Sequence, residues 1–249
     1  VTDLSTYDTN TARDLMKRWR LIKKDPEAEL SEPEEPIVYW VENSTPEEIR
    51  PFVIKGIESW NKAFEKAGFK NAVVAKIQPD DAEWDAGDVR YNVVRWASTP
   101  DPRYSGYGPS VANPRTGEII AADIVQEFNA IKRGYTYRKL WGYTEDNDPL
   151  EQWIISLTMH EVGHTLGLRH NFKSSWIYDA KEVHDVSITG DNHIGSVMDY
   201  DPINLAPEGV TQGNYFPSGP GSYDMWAIEF GYTPSLSDEE RENLLSKSS

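Results

Sequence analysis

Three of the five histidines in this 249-residue chain fall within eleven positions, His160-Glu161-Val162-Gly163-His164-Thr165-Leu166-Gly167-Leu168-Arg169-His170. His160 and His164 are four apart. On a helix their imidazoles project from one face, one turn apart, and can share a metal ion. Glu161 stands beside the first of them, where its carboxylate can reach a reacting water without itself ligating. Gly167 can adopt positive φ without steric cost, so the chain can leave the helix there and turn back. That turn brings His170 in as a third nitrogen donor. Three protein ligands with one open position is the layout of a catalytic zinc rather than a structural one. On the opposite face Ile155, Met159, Val162 and Leu166 recur at helical spacing, an apolar stripe suited to packing on a sheet.

The rest of the chain reads as alternating short strands and helices. Residues 1–35 form an extension, with a basic helix over 11–24 carrying Leu15, Trp19 and Ile22 on one face, then a Glu- and Pro-rich linker. A strand is expected over 37–41. Thr45-Pro46-Glu47-Glu48 then has the form of an N-cap, a first-turn proline and a capping-box acid. The helix it starts carries Ile49, Phe52, Val53, Ile57, Trp60 and Phe64 on one broad face, with Gly68 as its C-cap. Strands are expected over 72–77, 91–96 and 118–126, separated by a long loop over 98–117. Residues 128–141 are ambiguous between helix and loop. Asp148-Pro149-Leu150-Glu151 repeats the helix-start pattern for the helix that carries the histidines. Beyond Gly167 the chain is mostly loop up to Gly221, with a short helix over 223–230.

Bulk properties narrow the partners. A net charge of −16 argues against nucleic acid and anionic membranes, which need clustered Lys and Arg. No apolar run approaches the roughly 18 residues of a membrane helix. The first ten residues lack the charged head and apolar stretch of a signal peptide. The absence of cysteine removes disulfides, thiolate ligands and cysteine nucleophiles. Any metal site must therefore use His, Asp, Glu or Tyr.

The extended pattern His-Glu-x-x-His-x-x-Gly-x-x-His resembles that of the metzincins, a clan of zinc endopeptidases. A second element agrees. Ser196-Val197-Met198-Asp199-Tyr200 resembles the methionine-bearing turn that metzincins carry some tens of residues after the third histidine. Taken alone, Met198 reads as a core methionine; the resemblance implies a hydrophobic floor beneath the metal. Tyr200, two residues on, matches the tyrosine of astacins and serralysins that reaches zinc or stabilises the tetrahedral intermediate; otherwise it is a packed aromatic. The segment Tyr223 to Tyr232 is similar to the C-terminal helix of serralysins and matrix metalloproteases, which makes Asp224 structural. Asn171 stands where several subfamilies carry Ser, Asp, Glu, Gly or Pro. The whole chain resembles large bacterial zinc metallopeptidases of the cell envelope, in which such a domain sits within a longer polypeptide.

The resemblance implies an α+β, zincin-like fold: a twisted mixed sheet with two long helices above an irregular C-terminal subdomain. The N-terminal subdomain would span 36–170 and the C-terminal one 171–249. It implies one catalytic Zn2+ on His160, His164 and His170, with Glu161 as general base and Tyr200 as oxyanion donor or fifth ligand. Gly167 and Met198 would be structural. The substrate would be a peptide or protein, pairing along strand 118–126, with residues 201–204 walling a pocket. The location implied is extracellular, periplasmic or cell-surface, and the protein secreted. Two other readings stay open: a zinc-bearing binding module without activity, and a zinc hydrolase of a non-protein amide. His184 and His193 could form a second site but read more simply as solvated. Asp80, Asp81, Asp85 and Asp88 could take Ca2+, although their spacing does not match an EF-hand and reads as a solvated acidic loop.

Overall fold

The computed structural model describes residues 15–101, 103–127, 132 and 149–247. The ambiguous stretch 128–141 lies outside them apart from Lys132, as does the first part of the expected basic helix.

Six strands form one sheet: β1 Ile37–Val41, β2 Val73–Ile77, β3 Asn92–Ala97, β4 Gly106–Tyr107, β5 Ser110–Ala112 and β6 Ile119–Glu127. Their order is β2-β1-β3-β6-β4, with β5 also on β6. The four long strands run parallel, and β4 and β5 join β6 antiparallel. The long strands fall within one or two residues of their expected spans. β4 and β5 were not anticipated. Each is too short to carry a period-two pattern, and both lie among the glycines and prolines of 98–117.

Helices α1 Arg50–Glu58, α2 Asn61–Lys66 and α3 Leu150–Thr165 lie on one face of this mostly parallel sheet. The expected single helix is two, broken by the turn at Ser59-Trp60. It also starts later than expected. Pro51, which has no N–H to donate, sits in the first turn, the position a helix tolerates for proline. Thr45 is buried without capping, its N–H donating to the Glu42 carbonyl. Gly68 does take the left-handed conformation expected of it, with φ +83°.

Helix α3 is fixed to both neighbours. Gln126 Nε2 on β6 donates to Thr158 Oγ1 at 2.7 Å, and Tyr39 Oη on β1 pairs with Thr165 Oγ1 at 2.7 Å. Trp60 Nε1, beyond α1, donates to the Met159 carbonyl. At the α1–α3 crossing, a Cβ on Gly56 would come within 2.6 Å of Thr158 Cβ, so the helices touch there at backbone distance. Ile155, Met159, Val162 and Leu166 are all buried in the resulting core.

Residues 15–24 are extended rather than helical. Arg18 bridges to Glu118 at the head of β6, its N–H donating to the Gly117 carbonyl and its own carbonyl receiving the Ile119 N–H. Trp19 Nε1 donates to the Thr165 carbonyl at the end of α3. A backbone that pairs with a strand on both its polar groups cannot also form i to i−4 bonds, and Leu15 and Ile22 stay largely exposed. Beyond α3 come the short α4 Val186–Thr189, then α5 Ser222–Tyr232 and α6 Asp238–Ser246. α6 was missed, although Ser237 and Glu240 form a capping box that is legible as Ser-x-x-Glu.

Candidate active site

Helix α3 presents His160, Glu161 and His164 near its C-terminal end, and the chain then breaks at Gly167, whose φ is +99°. A side chain at Gly167 would also collide with the Lys17 carbonyl of the N-terminal segment. After this bend His170 returns to the other two histidines. One nitrogen of each imidazole lies within 4.8 Å of those of the other two, and His164 Nε2 is 3.1 Å from His170 Nε2. Among the described residues this is the single group of three or more potential ligands that converges on a point.

The imidazoles are held in a ligating form. His160 Nδ1 pairs with the Val197 carbonyl at 2.8 Å, and His164 Nδ1 with the Leu168 carbonyl at 3.2 Å. A carbonyl can only accept, so each Nδ1 carries the proton and each Nε2 is left with a lone pair. Burial pushes His160 down to about 4 and also lowers His164, which keeps both neutral near pH 7. Imidazole nitrogens gathered this closely are a donor set that Zn2+ takes.

Glu161 is buried at 5% exposure, and that burial pushes its carboxyl up to about 7. A carboxyl in that range can both take and return a proton near neutral pH. It lines an open cavity of about 430 Å³ whose walls include Tyr104, Trp153, Leu157, Tyr200 and Phe216. Of the anticipated wall residues 201–204, Asp201 lines this cavity.

The floor of the site is the turn at 196–200. Met198 is fully buried, against Gly163 of α3. Tyr200 is 65% exposed, its ring 4.3 Å from that of His170 and 5.4 Å from that of His160. Its phenol is raised above the ordinary tyrosine value, first by partial burial and then by the charge of Glu161.

Two expectations need correction. Strand β6 cannot receive a substrate strand, because β3 occupies one edge and β4 and β5 the other. Among the described residues, the sheet edge beside the three histidines is β4. His184 and His193 are not solvated but buried, at 8% and 5% exposure, with His193 Nε2 3.6 Å from Asp201 Oδ2. The acidic loop 80–88 is largely exposed, as expected, with Asp85 Oδ1 accepting the Gly87 N–H and Asp88 paired with Arg90. Sequence reasoning missed Gly106 of β4 and Gly108 just after it, which abut Glu161. Nothing in a Gly-Tyr-Gly tripeptide alone could have marked them.

Residues 143–248 match the family described as Met-zincin. The matched stretch covers α3, the three histidines, the Met198 turn and α5, while the six strands lie outside it. The mixed, mostly parallel sheet with its helices is consistent with a metzincin-like fold. Among solved structures the chain is similar to one titled "Structure of myroilysin", at 13% identity over 81% of this chain and 94% of that chain, with a TM-score of 0.37. Comparison with curated proteins gave no match.

Proposed function

We propose that this chain is a zinc-dependent endopeptidase in which His160, His164 and His170 hold the metal and Glu161 is the general base. One observation carries the reading: three imidazoles converge beside a buried carboxyl of raised pKa, on an open cleft. A zinc ion held there supplies Lewis acidity that polarises a carbonyl and acidifies water.

The chain's own groups supply the rest. Flanking β4, the carbonyls of Ser105 and Pro109 turn inward to receive the N–H groups of Glu127 and Asp123. Strand alternation then points the backbone groups of Gly106 and Gly108 outward, where an extended peptide can pair with them. Glu161 takes the proton of the attacking water and returns it to the leaving amine. The Tyr200 hydroxyl, protonated at neutral pH, donates to the developing oxyanion. The N-terminal subdomain, 36–170, forms the upper wall and the segment 171–249 the lower one.

The substrates we assign are peptides or proteins, met in an extracellular, periplasmic or cell-surface setting. Among the described residues, no helix is long and apolar enough to cross a membrane. The decisive experiment changes Glu161 to Ala and follows an unfolded protein substrate by mass spectrometry. Zinc content should stay near one per chain while cleavage falls by orders of magnitude. Undiminished cleavage would remove Glu161 as the base. A native, zinc-loaded chain that cuts nothing would favour a non-catalytic binding module.

A further inference from the structure

Strand β4, Gly106–Tyr107, is followed directly by Gly108, and both glycines stand on the face that meets α3. A Cβ built on Gly106 would lie 2.5 Å from Glu161 Oε1, 2.8 Å from its Cγ and 2.9 Å from its Cδ. A Cβ on Gly108 would collide with the Glu161 backbone carbonyl. Tyr107 points the opposite way and is 56% exposed, as the two-residue period of a strand requires. Neither glycine has positive φ, so backbone conformation does not call for glycine at either place. What calls for it is the closeness of one side chain. A glycine inside a strand often marks such an approach.

The two collisions differ in kind. At Gly108 the obstacle is helix backbone, which cannot yield without moving the strand. At Gly106 it is the end of a side chain with rotatable bonds, which can swing aside. Glu161 would then leave its buried seat beside His160 while the fold stayed intact.

We propose that Gly106 is a positioning residue for Glu161: the missing side chain at 106 is the space in which the carboxylate is held over the metal ligands. This rests on Glu161 acting as the base. The edge strand that lines the cleft thus also sets the place of the group that moves the proton.

The test uses Gly106→Ala in the native and Glu161→Ala backgrounds, with zinc content, melting temperature, and kcat and KM on a fluorogenic peptide that the native chain cuts. In Gly106→Ala, zinc content and melting temperature should stay near native. Its kcat should fall about 100-fold, the scale of a misplacement of about 1 Å, with KM little changed. Adding Gly106→Ala to Glu161→Ala should leave the residual kcat unchanged, since the group it displaces is gone. Native kcat in Gly106→Ala would overturn the proposal, as would loss of zinc or of the fold, or a further drop in the double variant. If the Glu161→Ala variant cut as well as the native chain, the underlying reading would fail instead.

Discussion

The Asp224 carboxylate accepts the Val197 N–H at 2.8 Å, and the Val197 carbonyl in turn accepts from His160 Nδ1 at 2.8 Å. Helix α5 is thereby connected to the His160 ring through a single backbone residue. Asp224 is fully buried and also accepts from Ser196 Oγ at 2.5 Å and from the Gly221 N–H at 2.8 Å. Three donors on one carboxylate hold the turn at 196–198 and the start of α5 together.

We predict that Asp224→Asn destabilises the fold by about 2 kcal/mol, because an amide offers one accepting oxygen where the carboxylate offers two, so the two backbone N–H groups keep an acceptor and the Ser196 hydroxyl loses its own. Urea denaturation of the metal-free protein measures this. Zinc affinity should fall as well, since His160 loses its fixed orientation. Unchanged stability and affinity would dissolve the link described above.

Asp224 also brings a pH dependence. Burial, working against its three donors, pushes its pKa up to about 6 in the fold, while the ordinary value is 3.8. Between those values the folded state binds more protons than the unfolded one. Its contribution to stability therefore declines as pH rises from about 4 to about 6 and is level above that. Comparing denaturation midpoints of the native chain and Asp224→Asn across this window isolates the effect: the difference between the two should itself change with pH. A constant difference would mean that the Asp224 pKa does not shift on folding.

Gly163 lies against Met198. A Cβ at Gly163 would strike the Met198 Sδ and come within 2.9 Å of Trp60 Cζ2. We predict that Gly163→Ala overpacks this junction and costs about 1–3 kcal/mol, read as a lower melting temperature. Met198→Ala in the same chain should recover part of that loss by opening space.

Tyr200→Phe removes a hydroxyl but keeps the ring that packs on His170. If the hydroxyl donates to the oxyanion, kcat should fall about 100-fold with zinc affinity nearly unchanged. A parallel loss of zinc would instead make Tyr200 a ligand.

Removing the metal with a chelator should abolish cleavage and lower the melting temperature. Returning zinc at about 100 times its dissociation constant should restore about 2.7 kcal/mol of stability.

The candidate metal centre was legible because it is mostly local. Helical spacing alone sets His160, Glu161 and His164 on one turn, and Gly167 supplies the bend before His170. The four long strands were legible for a similar reason, since β-branched runs between turn residues carry their own signal. Residues 15–24 were not. Their periodicity suits a helix, but Arg18 gains two backbone bonds at the head of β6 that no neighbour in sequence announces.

Local chemistry, then, determined which side chains could meet on a helix and where that helix had to break. Only the tertiary structure decided which strand is the open edge, which glycines make room for Glu161 and which carboxylate steadies the His160 ring. Those depend on contacts between residues 18 to 55 positions apart, from the β4–β6 pairing to Gly106 against Glu161, and no period, cap or turn preference reaches that far. They are set by how a finite sheet and its helices can pack.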